Sequence, residues 1–116
     1  MEPIFNRSGA IVGWIHEGRI LDRSNRYRGF FNGEAIHSMS GKHIGRIHNG
    51  FIRDKSGGAV AFIRGASGGP IPPIPHIPPI PPIPPIPPIK TIPAIPSIPA
   101  IPSLSWGMDW DIFLNS

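Results

Sequence analysis

Cysteine is absent from this chain of 116 residues, which excludes a disulfide framework and thiolate chemistry and leaves only His and carboxylates to hold a zinc ion. Proline is almost missing from the first 69 residues, where Pro3 stands alone, although the whole chain contains 17. No stretch reaches the ~18 consecutive apolar residues of a membrane-crossing helix. The opening "MEPIFNRSGAIVGWIHEGR" has no basic segment ahead of an apolar run, so no signal peptide is expected and a cytoplasmic location is the default. Acidic residues are scarce, seven against eleven Lys and Arg. Ten of the basic residues and five of the acidic ones precede Gly68, which gives that region +5 and the remainder −1.

The compositional break at "GASGGP", residues 65–70, divides the chain into unlike parts. We expect a domain over 1–68, an Ile/Pro segment over 69–104 and an apolar C-terminal plug over 105–116.

The first part repeats every sixteen residues without a gap: "IFNRSGAIVGWIHEGR" from Ile4, "ILDRSNRYRGFFNGEA" from Ile20, "IHSMSGKHIGRIHNGF" from Ile36 and "IRDKSGGAVAFIRGAS" from Ile52. Position one of the unit is Ile in all four, position five is Ser8, Ser24, Ser40 and Ser56, and position six is Gly9, Asn25, Gly41 and Gly57. A short polar residue opening "NRSG", "DRSN", "SMSG" and "DKSG" can cap a tight turn, and Gly or Asn at its end accepts a left-handed backbone. Alternating apolar residues such as Val12 and Trp14 then form a second strand, closed by polar, Gly-containing turns such as "HEG" and "HNG". An isolated hairpin is marginal, so four equal ones must share a core. The expected fold is all-β, with four hairpins in a pseudo-fourfold arrangement that folds by itself. The small residues at position ten, Gly13, Gly29, Gly45 and Ala61, belong where strands or the central axis come close.

These repeats, followed by a Pro-rich tail closing on "SLSW" at 103–106, resemble the small bacterial domain called the four-fold β flower. The resemblance implies a fold and no activity. Two features depart from the family's pattern. The tail carries only Lys90 where many lysines are usual, and Arg46 stands where the other units have Trp14, Phe30 and Phe62.

From Ile71 to Ile101 an isoleucine occupies every third position, and Leu104 continues the phase. Proline excludes α-helix and ladder pairing, so polyproline II is the expected state, and its threefold screw aligns every Ile on one edge. A straight segment 71–104 would extend about 105 Å at ~3.1 Å per residue, more than a head about 20–25 Å across can cover. The Ile edge is therefore expected to be buried between chains, with Ile77, Ile80, Ile83, Ile86 and Ile89 at the seam and Trp106 and Trp110 assisting. The alternation from Trp106 to Ile112 suits a short strand, with Asp109 and Asp111 facing solvent.

Sites for chemistry are few. His16 and His48 share position thirteen with Asn32 and Arg64, a set that could gather into a ring but in which Arg64 repels a cation. The serines are explained by turns, and no His–acid pair accompanies them. No catalytic residue, metal or cofactor is assigned. Arg23, Arg26 and Arg28, with Arg7 and Arg19 and with Tyr27 and Phe30 nearby, are the candidate contacts for an anion. The expected function is that of a non-enzymatic structural or interaction protein that self-associates through the tail. The alternative is a binding module, either a PxxP-type ligand for a protein partner or a weak, non-specific nucleic-acid binder. Nucleic acid and membrane are not the expected partners.

Overall fold

A computed structural model describes all 116 residues. Eight short strands follow one another as β1 (Glu2–Phe5), β2 (Ile11–His16), β3 (Arg19–Asp22), β4 (Tyr27–Asn32), β5 (Ala35–Ser38), β6 (His43–His48), β7 (Phe51–Asp54) and β8 (Ala59–Phe62). Each pairs antiparallel with the next, and Phe5 opposite Phe62 joins β1 to β8, closing the sheet into a barrel without free edges. The sixteen-residue unit is one strand–turn–strand step of this barrel.

The turn chemistry is the same in every unit. Asn6, Asp22 and Asp54 each accept two backbone N–H bonds through Oδ1, and Ser38 Oγ takes the equivalent place. Position six adopts a left-handed backbone, with φ of 81°, 63°, 95° and 90° at Gly9, Asn25, Gly41 and Gly57. A bulge follows position one in all four units, at Ile4/Phe5, Ile20/Leu21, Ile36/His37 and Ile52/Arg53. Such a bulge sharpens the twist that so small a barrel requires.

Ile4, Ile20, Ile36 and Ile52 are fully buried in the bore. The head does not fill that bore alone. A helix α1 (Trp110–Leu114) places Trp110, Phe113 and Leu114 in the same cluster as the four isoleucines. This corrects the strand expected over 106–112: those three residues stand at i, i+3 and i+4 and form one helical face, while Ile112 points outward. Asp109 and Asp111 are exposed. Trp106 keeps a single parallel bridge to Ala59. Gly45 shows why the bore needs small residues, since a side chain there would strike the Arg53 carbonyl and the Phe113 ring.

The end-to-end length worked out for a straight tail does not apply to the folded chain. The molecule measures 36 × 35 × 21 Å, so residues 70–104 cannot form a rod. They contain no strand or helix and wind around the outside of the barrel.

Candidate functional site

The tail is held by a register of nine of its residues to each sixteen of the head. His76 N–H donates to the Gly9 carbonyl at 2.9 Å, Ala94 N–H to Gly41 at 2.8 Å and Ser103 N–H to Gly57 at 3.0 Å. The carbonyls two residues earlier, on Ile74, Ile92 and Ile101, lie so close to these glycines that a Cβ there would collide with them. In the second unit the partners change together. Pro85 has no N–H to offer, and Asn25 replaces glycine and donates from Nδ2 to the Ile83 carbonyl at 3.0 Å.

Position two of each unit faces this ring from the outer side of the barrel. Phe5 and Leu21 are apolar there, whereas His37 Nε2 bonds the Ala94 carbonyl at 2.9 Å and Arg53 Nη1 donates to the Ser103 carbonyl at 2.8 Å. Arg53 also donates to Gly57 at 2.7 Å and, through Nη2, to Gly68 at 3.1 Å. It thereby clasps the start of the tail to its end. Burial pushes its pKa below the ordinary guanidinium value, with the nearby Arg46 charge adding to the effect.

The isoleucines turn outward, and about half of the tail prolines turn inward while Pro79, Pro81, Pro85, Pro88, Pro96, Pro99 and Pro102 stay exposed. Pro72, Pro75, Pro78, Pro84, Pro87 and Pro93 are half-buried. Each isoleucine from Ile71 to Ile101 is at least 90% exposed, and Leu104 is 74% exposed. Within one chain the Ile edge is thus uncovered. Ile77, Ile80, Ile83, Ile86 and Ile89 form a continuous arc of it. Trp110 is not on that arc, because it lies in its own barrel, and Trp106 packs edge-on against Phe51 with centroids 6.1 Å apart.

The candidate anion contacts are largely engaged within the fold. Arg26 and Arg28 both approach Asp22 Oδ2, at 3.7 and 3.3 Å, and Arg28 also reaches Asn115 at 2.8 Å. Arg19 donates to Pro88, and Arg7 to Gly107. Arg23 alone of the cluster makes no hydrogen bond or ion pair, and Tyr27 donates to Pro85 at 2.9 Å. Nothing in the sequence of the arginines revealed that the tail's carbonyls would take them up.

His16, Asn32 and His48 end strands β2, β4 and β6 and Arg64 follows β8, and no three His, Asp or Glu side chains converge as a metal-holding group. Two histidines do meet: His37 and His43 have ring centroids 5.4 Å apart. His43 Nε2 bonds the Gly45 carbonyl at 2.8 Å and its Nδ1 faces the Ser97 N–H at 3.3 Å. Burial holds its pKa below the ordinary histidine value, and His37, Lys55 and Arg46 oppose its charge further. Sequence reasoning missed this pair because their meeting depends on the register of β5 and β6, which shifts after Ile36 and sets His37 opposite His43.

No helix is long and apolar enough to cross a membrane. No curated protein and no solved structure matches the chain. A family described as "4-fold beta flower protein", a small-barrel fold not known as an enzyme family, matches residues 2–114, barrel, tail and plug together. The four sixteen-residue hairpins, their closure into one barrel and this match lead to one conclusion: the chain belongs to the 4-fold beta flower family.

Proposed function

We propose that this protein is a non-enzymatic structural or interaction protein that self-associates through its isoleucine girdle. One observation carries the reading: eleven isoleucines in unbroken phase are at least 90% exposed, and none contributes to its own core. Proline alone would wrap the barrel equally well, so the aliphatic row must be accounted for by something outside the chain. Covering half of each isoleucine would contribute about 1 kcal/mol apiece, on the order of 11 kcal/mol in all. A contiguous apolar surface of this kind marks an association site.

The competing occupants fit less well. A girdle one side chain tall does not match the ~30 Å hydrocarbon core of a bilayer. A PxxP groove grips proline edges, and here half of the tail prolines, Pro72, Pro75 and Pro84 among them, are partly covered by the barrel, which leaves exposed ones such as Pro79, Pro81, Pro85 and Pro88 but no fully free polyproline face. A nucleic-acid surface would have to detach arginines from Asp22 and from tail carbonyls. The cytoplasm remains the default location.

Sedimentation of the full chain across a wide concentration range tests the proposal. Oligomers are expected, and replacing Ile80, Ile83 and Ile86 by Ser should shift them to smaller species at equal concentration. A full-length chain that stays monomeric at the highest concentration reached would refute it.

A further inference from the structure

The tail makes one complete circuit of the barrel, because Arg53 holds the Gly68 carbonyl at its start and the Ser103 carbonyl at its end. At polyproline spacing, residues 71–104 have a contour of about 105 Å, the circumference of a circle about 33 Å across. The two long dimensions of the molecule are 36 and 35 Å, and the third is 21 Å. The tail is therefore the rim of a disc. Its contacts with the four units fall at Ile74 beside Gly9, Ile83 beside Asn25, Ile92 beside Gly41 and Ile101 beside Gly57, one in each quarter of the barrel. Each of these isoleucines has another large aliphatic three residues before it and three after it, so every quarter of the rim presents one exposed triplet.

The size of a triplet limits what one contact can do. Fully burying an isoleucine removes roughly 60–120 Å² from water, so two facing triplets bury on the order of 360–720 Å². A stable pair of proteins needs upward of about 1,000 Å². Two discs of equal size meeting at their rims touch over one arc, which leaves three triplets of each molecule uncovered. A closed ring engages two per molecule and still leaves two. Stacking the flat faces covers the ends of the barrel and none of the rim. Lateral growth covers all four, and a copy entering the corner of an existing array makes two contacts at once, about 720–1,440 Å², which reaches the stable range.

We propose that the girdle is a set of four equivalent weak contact sites, each taking the aliphatic triplet of a second copy of this chain, and that the protein assembles side by side into an open-ended layer. This rests on the self-association through the girdle proposed above and specifies its geometry. The contact uses the same surface on both partners. Two discs lying in one plane with the same face up run their rims in opposite directions where they meet, so a twofold axis between them exchanges the triplets. The pseudo-fourfold barrel supplies the right-angled disposition of sites that such a layer requires.

Light scattering and sedimentation of the full chain across a wide concentration range, with electron microscopy of the most concentrated sample, test the geometry. The mean mass should rise continuously with concentration without settling at a fixed stoichiometry, and flat layers should be visible. Serine at the triplets centred on Ile74, Ile92 and Ile101 leaves only Ile80, Ile83 and Ile86. The replaced side chains are exposed, so this variant should melt as the parent does, and its mass should stop at twice that of the monomer. Keeping the two opposite triplets centred on Ile83 and Ile101 should give unbranched chains. A full chain that holds one small fixed stoichiometry as concentration rises would overturn the open layer while leaving self-association intact, and a monomer throughout would overturn both. A single-triplet variant that grows past dimers would overturn the pairing of one triplet with one copy.

Discussion

Replacing Phe113 by Ala tests the architecture at the point where the three parts of the chain meet. The side chain is fully buried, stacks on Trp110 with centroids 5.9 Å apart, and faces the Cα of Gly45 in the bore. Removing a buried phenyl ring costs about 3–5 kcal/mol when the surroundings cannot collapse into the space. A closed barrel is poorly able to collapse, because its hydrogen-bonded wall fixes the radius. At roughly 4 °C per kcal/mol for a chain of this size, the melting temperature should fall by about 12–20 °C. Ile112→Ala, one residue away on the same helix but 59% exposed, supplies the comparison and should cost about 0.5 kcal/mol or less. Thermal melts followed by far-UV circular dichroism, with Trp fluorescence as a second probe, measure both. A loss below about 1 kcal/mol for Phe113→Ala, or equal losses for the two variants, would refute the view that the helix fills the bore.

Gly45→Val should cost at least about 3 kcal/mol, since a side chain there meets the Arg53 carbonyl and the Phe113 ring, whereas Lys42→Val on an exposed turn should cost under about 1 kcal/mol; denaturant unfolding separates them. Arg53→Met should destabilise by about 2–4 kcal/mol by deleting the buried guanidinium's three bonds to the carbonyls of Gly57, Ser103 and Gly68, and hydrogen exchange at Ser103 should accelerate more than exchange in β2. His43 has a lowered pKa in the folded state, so the unfolded chain binds the extra proton and stability falls as pH drops below the unfolded value of about 6.5. Unfolding measured from pH 7.5 to pH 5 should show this loss, and His43→Gln should diminish it; an unchanged slope in the variant would assign the pH dependence elsewhere. Binding to single-stranded nucleic acid should be weak and lost by moderate salt, as measured by fluorescence anisotropy; submicromolar, sequence-selective binding would contradict it.

The hairpins were legible because their determinants are local. Asn6, Asp22, Ser38 and Asp54 cap turns whose geometry depends on a few neighbouring residues, and Ile4, Ile20, Ile36 and Ile52 mark one face by simple repetition. The course of the tail was not legible in the same way. Ile/Pro triplets state a local preference, and the curvature comes from hydrogen bonds to residues some 40 to 70 positions away, such as His76 to Gly9 and Ala94 to Gly41. A trace of it was nonetheless present: three of the residues that interrupt the Ile-Pro pattern, His76, Ala94 and Ser103, stand nine or eighteen apart, and these are the ones that donate an N–H to the glycine carbonyls of the head. The helix at 110–114 was concealed by two superimposed periods. Trp106, Met108, Trp110 and Ile112 alternate as a strand would, while Trp110, Phe113 and Leu114 follow a helix, and the bore of the barrel selects the second. Arg46 was visible only as an oddity, because what it replaces becomes clear once Trp14, Phe30 and Phe62 are seen to be buried.

The nine-to-sixteen register makes the chain a vernier, two scales that coincide at four marks. Inserting or deleting one Ile-Pro triplet would advance everything downstream by about 9 Å, so Ala94 and Ser103 would miss their glycines and α1 would be drawn off its seat. Local tolerance of proline does not relieve this mismatch, since the error accumulates around the circumference and falls on the plug. A viable change of length must therefore come in steps of nine tail residues, each matched by a further hairpin, and a chain with five hairpins would need a wider plug. The low-complexity appearance of the tail thus conceals a strict count.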